Sequence, residues 1–196
     1  MDLLTSLVLC DRKIEKEKIT SILANKIFEY YNYLTTFKAK YLNSDDINFV
    51  TDTYDKVMKQ ISYLDDEYIN HGDLSEFNMI TSKGKTYIID FDETSVTYEL
   101  YDFANIVVKN FTDKKGNFDE VKVKELANNV RKAKPQYLSK DLNNIIMFYL
   151  CKILLEKFYL HETEKIDLFS KDQMKDDYNR YLKMLKDINE MGLIHE

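Results

Sequence analysis

The 196-residue sequence predicts a mainly helical α+β fold, and three observations predict it. Only four glycines and one proline interrupt a chain that is 44% hydrophobic and 13% aromatic, the composition of a compact helical globule rather than a loop-rich β-sandwich or a disordered segment. Apolar residues recur at helical spacing through most of the chain. Between Tyr68 and Asp92 that spacing gives way to short runs of Ile, Tyr, Phe and Met, the single β-rich stretch. The length suits one domain over residues 1–196, large enough to bury its own core.

The elements follow in order. From Ile14 to about Tyr41, Ile19, Ile22, Leu23, Ile27, Tyr30, Tyr31 and Leu34 predict a long amphipathic helix. Asn43-Ser44-Asp45-Asp46 offers capping side chains to a second helix carrying Ile47, Val50, Tyr54, Val57, Met58 and Ile61. Residues 78–81 and 86–90 read as two strands joined by Ser82-Lys83-Gly84-Lys85, where Gly84 can take the positive φ of a tight hairpin. Helical spacing resumes over Tyr101 to Lys109, from about Phe118 to Lys132, and over Leu138 to Glu162 and Lys171 to Met191. Pro135 stands where it can end one helix and redirect the chain. No repeat, low-complexity tract or flexible linker marks a domain boundary.

Charge and cysteine usage exclude some classes. The 28 Lys and Arg are scattered and outnumbered by 34 Asp and Glu, so neither nucleic acid nor anionic membrane is an expected partner, and a cationic small molecule suits the field better. Cys10 and Cys151 lie far apart in apolar runs without metal-ligand spacing, which predicts buried free thiols and a cytoplasmic protein. The first ten residues begin with an acid and lack a basic lead-in, so no export is expected. The most apolar window, Ile145 to Leu160, contains Lys152, Glu156 and Lys157 and reads as a core helix rather than a membrane span.

The chemistry is concentrated in His71-Gly72-Asp73-Leu74-Ser75-Glu76-Phe77-Asn78 and, one hairpin later, Ile88-Ile89-Asp90-Phe91-Asp92. His-x-Asp, four residues, Asn, then a strand ending in Asp is the order and spacing of a kinase catalytic loop and its magnesium-binding aspartate. Phosphoryl transfer needs a carboxylate beside the attacking hydroxyl, and the metal that neutralises the phosphates needs hard oxygen ligands. Asp73 fits the first role, and Asn78 and Asp90 the second. His71 is expected to pack and brace the loop. Asp92 is a further candidate for a second metal or the substrate, and equally a solvated strand-end carboxylate. Asp102 opens a helix, where the helix dipole alone would favour it; the sharper reading is a bond to the backbone of the catalytic loop. Glu99, His161 and Glu162 read as surface residues without a motif.

These residues, with Tyr101-Asp102-Phe103-Ala104, resemble the signature of the aminoglycoside phosphotransferase and choline kinase-like group, including the CotS-like kinases. The resemblance is strong over residues 71–104 and elsewhere extends only to the kind and order of the helices. It implies the C-terminal lobe of a protein-kinase-like fold, with Asp73 as catalytic base, Asn78 and Asp90 as Mg2+ ligands, Asp102 as a brace, ATP as donor and a small-molecule hydroxyl as acceptor. Two departures stand out: Ser75-Glu76-Phe77 replaces the group's His-Pro-Gly, and Asp102-Phe103-Ala104 its Asp-Leu-Ala. Asp73-Leu74-Ser75-Glu76-Phe77-Asn78 looks instead like the loop of RIO-type atypical protein kinases. Gly72, Gly84, Gly116 and Gly192 are all isolated, so no phosphate-covering glycine-rich loop can be written within the sequence. The expectation is that the ATP-binding N-terminal lobe is absent, with Leu3 to Leu9 at the hinge, and is supplied in cis or in trans; alone, the chain would be inactive. The competing expectation is a non-catalytic binding or scaffold module that pairs as a homodimer through an apolar patch near residues 1–10.

Overall fold

The computed structural model describes residues 22–37, 39–64, 68–163 and 171–195. Six helices run in the order α1 (Ile22–Thr36), α2 (Ser44–Ile61), α3 (Tyr101–Asn110), α4 (Glu120–Ala133), α5 (Ser139–Glu162) and α6 (Lys171–Met191) among the described residues. Four short strands, β1 (Tyr68–Asn70), β2 (Met79–Ser82), β3 (Lys85–Ile88) and β4 (Ser95–Thr97), lie between α2 and α3. The fold class read from the sequence stands: mainly helical, with small antiparallel sheets.

At the centre, α5 packs against α1, α2, α3 and α6. Every position from Asn144 to Cys151 on it is buried, the mark of a helix surrounded by others rather than one half in water. No described helix is long and apolar enough to cross a membrane. Cys151 is buried with its Sγ 3.9 Å from the Val50 carbonyl. On α2, Ile47, Val50, Val57 and Ile61 form the inward face. Its start is set by Asn43, whose Oδ1 accepts from Asp45 N at 2.9 Å.

Several expectations need correction. The first helix ends at Thr36 rather than near Tyr41, and its predicted beginning at Ile14, like Leu3 to Leu9, Cys10 and the patch near residues 1–10, lies outside the described residues. The early end has a cause in the 39–43 turn. There the buried Glu162 carboxylate accepts from the backbone of Lys40, Tyr41 and Leu42 at 2.7, 2.9 and 2.6 Å, and a chain continuing as helix could not present three successive amides to one group. Glu162 is therefore no surface residue. Nor is Glu99, which pairs with Lys134 and Tyr137, while the ring of His161 meets Tyr41 and Tyr178 edge-on.

The β region also differs in detail. The hairpin β2–β3 pairs Met79 with Ile88 and Ser82 with Lys85, turning through Lys83 and Gly84, both at positive φ. A second antiparallel pair, β1–β4, was not foreseen: Tyr68 faces Thr97 and Asn70 faces Ser95. Three-residue strands carry too little periodicity to be read from a sequence. Their pairing closes a circuit, delivering the chain from β4 into α3 directly beside the loop that leaves β1.

Candidate active site

The loop from His71 to Asn78 joins β1 to the hairpin, and each of its turns has an identifiable cause. Gly72 sits at φ +84°, and a Cβ there would lie 2.3 Å from the Glu93 carbonyl oxygen, so no larger residue fits. Leu74 is fully buried and anchors the middle of the loop. His71, also fully buried, uses its ring on the backbone: Nε2 donates to the Ile89 carbonyl at 3.1 Å, Nδ1 accepts from Asp73 N at 3.3 Å, and the ring rests on Phe91 at 4.7 Å. The histidine thus ties the loop to the segment bearing Asp90.

Helix α3 clasps the loop from the other side. Asp102 accepts from His71 N and Gly72 N, both at 2.9 Å, the contact expected of it. Three asparagines do comparable work that sequence reading missed. Asn105 accepts from Leu74 N at 2.6 Å and donates to the Gly72 carbonyl at 2.8 Å and the Tyr149 hydroxyl at 2.7 Å. Asn110 accepts from Glu76 N at 2.9 Å and donates to the Leu74 carbonyl at 2.7 Å. Asn70 donates to the Tyr98 carbonyl at 3.0 Å and accepts from Asp102 N at 3.3 Å, so it ties the start of α3 to β1. One signal for Asn105 was present: a lone amide inside Phe103-Ala104-Asn105-Ile106-Val107-Val108, three residues after Asp102, is a polar group in a run that must be buried.

Among the candidate residues, Asp73 and Asn78 are in direct contact. Asn78 Nδ2 donates to Asp73 Oδ2 at 2.9 Å and to the Asp73 carbonyl at 3.0 Å. Asp73 Oδ1 is buried and accepts no hydrogen bond. The ammonium of Lys109 on α3, a residue not singled out from the sequence, stands 3.7 Å from it. Asp90 follows Ile89, whose N donates to the Asn78 carbonyl at 3.0 Å and extends the ladder by one residue. Asp90 is not the end of a strand, as read from the sequence, since β3 stops at Ile88. It stands at φ +62°, the sole non-glycine residue outside the hairpin turn with positive φ among the described residues. Aspartate tolerates that region better than most residues, and such strain collects at functional sites. Asp92 lines a small cavity of about 120 Å³ with Tyr30, Glu93, Ser95, Lys152 and Glu156.

The donor set suits a divalent cation shared with phosphates. Asn78 keeps its Oδ1 free of hydrogen bonds, and the exposed Asp90 carboxylate has neither a hydrogen bond nor an ion pair among the described residues. No three His, Cys, Asp or Glu side chains of the described residues gather into an all-protein metal cage. One carboxylate and one amide are what Mg2+ takes when substrate phosphates and water complete its shell.

The model of the RIO domain family matches residues 31–101, which span the loop and the hairpin but less than half the chain. No curated protein matches the sequence. Among solved structures, the choline kinase LicA from Streptococcus pneumoniae superposes with a TM-score of 0.62 at 17% identity, over 94% of this chain and 60% of that one. A Plasmodium vivax ethanolamine kinase gives 0.61 at 15% identity over 97% of this chain and 59% of its own. An amicoumacin kinase, solved in complex with AMP-PNP, Ca2+ and Ami, gives 0.50 at 16% over 94% and 64%. At these identities the likeness is one of fold: a kinase-like fold shared with small-molecule kinases and, through the family match, related to RIO kinases. The chain spans about three fifths of the length of these proteins.

Proposed function

We propose that this chain carries the catalytic loop and metal-binding segment of an ATP-dependent phosphotransferase of the aminoglycoside phosphotransferase and choline kinase-like kind, which moves a γ-phosphate to the hydroxyl of a small molecule. The observation that carries the reading is the asymmetry of the Asp73 carboxylate, with Oδ2 held by Asn78 and Oδ1 buried without a hydrogen bond. A general base needs one oxygen fixed for orientation and the other available to the incoming proton. Asp73 Oδ1 would accept the proton of the acceptor hydroxyl, while Asn78 Oδ1 and the Asp90 carboxylate would hold Mg2+. When bound, the ion neutralises charge on the transferring phosphates. Asp102, Asn105 and His71 keep the loop in place, so little reorganisation is left for the reacting step.

A glycine-rich phosphate cover is not encoded within these 196 residues, and in this reading it is provided in cis or in trans. Exposed Phe77, Ile80, Tyr87 and Phe91 on and beside the hairpin are the apolar surface against which it would rest. Calorimetry of this chain with MgATP should then show millimolar binding or none; submicromolar affinity would remove the need for a cover. With the cover supplied, Asp73→Asn should lower turnover by at least about a hundredfold without altering the thermal midpoint, and retained activity would exclude Asp73 as base.

The RIO match favours a second reading, an atypical protein kinase, because residues 31–101 and the Asp73-Leu74-Ser75-Glu76-Phe77-Asn78 loop fit that family. Radiolabel transfer from ATP separates the two. Label on small alcohols supports the first reading, and label confined to protein serines supports the second.

A further inference from the structure

The two oxygens of Asp73 face different neighbours, and the difference bears on the acceptor. Oδ2 faces Asn78, the proposed metal side. Oδ1 faces α3, with the Lys109 ammonium 3.7 Å away. Asp102, Asn105 and Lys109 stand at i, i+3 and i+7 of α3, so one helix face braces the loop and also carries this cation to the reactive carboxylate. Lys109 has no other partner among the described residues, and at 3.7 Å it makes an ion pair without closing a hydrogen bond. Past the end of α3, Arg180 of α6 donates through Nη2 to Thr112 Oγ1 at 2.7 Å and keeps its Nε buried without an acceptor.

Resting on the phosphotransfer reading, we infer that the acceptor is a hydroxylated small molecule bearing an anionic group, a carboxylate or a phosphate, which Lys109 binds while the hydroxyl meets Asp73 Oδ1. The reason is displacement. Because Oδ1 is buried and Lys109 is the charge beside it, a hydroxyl that bonds that oxygen arrives next to the ammonium and competes with its ion pair. A neutral acceptor would leave the displaced ammonium without a partner, and a cationic one would repel it. An anion on the acceptor offers it a new partner close to the one it gives up. This reverses the expectation from net charge: an overall charge of −6 spread over the surface counts for less than one ammonium beside the reacting oxygen.

A matched series on one carbon skeleton tests it: glycerol, D-glycerate, glycerol phosphate and the amino analogue serinol, titrated into the full chain while the amide and Lys side-chain NMR signals are followed. The expected result is that at least one of the two anions binds about tenfold or more tightly than glycerol, with the Lys109 and Asp73 signals moving together. Which anion binds tells carboxylate from phosphate. Lys109→Met should remove that advantage and Lys109→Glu should transfer it to serinol, with the remaining amide spectrum unchanged in both. Tighter binding of serinol by the unsubstituted chain overturns the inference. So does an anion affinity unchanged in Lys109→Met, or the absence of anion binding at tens of millimolar. An anion that binds through Lys109 but is never phosphorylated once the phosphate cover is supplied leaves the inference standing and removes the phosphotransfer reading. Phosphorylated serinol does the reverse.

Discussion

Asp102 is 4% exposed and spends both carboxylate oxygens on successive backbone amides, His71 N and Gly72 N. A buried donor left without its acceptor costs about 1–3 kcal/mol. Asp102→Ala should therefore lower the unfolding free energy by roughly 2–4 kcal/mol, and Asp102→Asn, which retains one acceptor, by about half as much. Urea denaturation measures both, and a loss below about 1 kcal/mol in the alanine variant would show that the asparagines hold the loop unaided. Asn105, fully buried with three hydrogen bonds, belongs to the same clasp. Lys109 differs from both: its side chain is 35% exposed, so it is placed to exchange partners and adds little to stability.

At the scale of elements, the turn between α1 and α2 depends on the last residue of α5. Glu162 draws three amides onto one carboxylate across more than a hundred residues of sequence. Glu162→Ala should speed hydrogen exchange at Lys40, Tyr41 and Leu42 and destabilise the protein by roughly 2–4 kcal/mol, with α2 beyond Asn43 still protected. Unchanged exchange at those three amides would mean that water already serves them. The helices themselves were largely legible, because an amphipathic period repeated over several turns is a strong signal. The 171–191 helix has the limits expected of it, and 138–162 differs by one residue. The β1–β4 pair was not legible, since a three-residue strand is defined by its partner rather than by its own pattern.

For the molecule as a whole, burial of hydroxyls in a tyrosine-rich core sets an alkaline limit. Tyr54 is pushed from the ordinary value of 10.0 to about 12, chiefly by burial and then by Tyr98, Cys151, Asp55 and Tyr31. Burial likewise raises Tyr101, Tyr149 and the Cys151 thiol. A folded pKa above the unfolded one means that the folded state binds more protons between the two values. The stabilisation is thus fully present below about pH 10 and is lost as pH rises toward about 12. The urea midpoint should fall between about pH 9 and about pH 11 as tyrosinate absorbance grows, and a flat midpoint over that span would contradict it.

The sequence by itself determined the helical class, the limits of the last two helices, and the residue types and spacing of the 71–78 loop and Asp90. Those signals repeat along the chain or sit close together in it, so local physics suffices to read them. Only the tertiary structure decided that Asn105 and Asn110 join Asp102 in gripping the loop, that Glu162 stops α1, and that Lys109 stands beside Asp73. Each of these joins groups more than thirty residues apart, and a hydrogen bond or ion pair at that separation exists only after the hydrophobic core has brought two elements together.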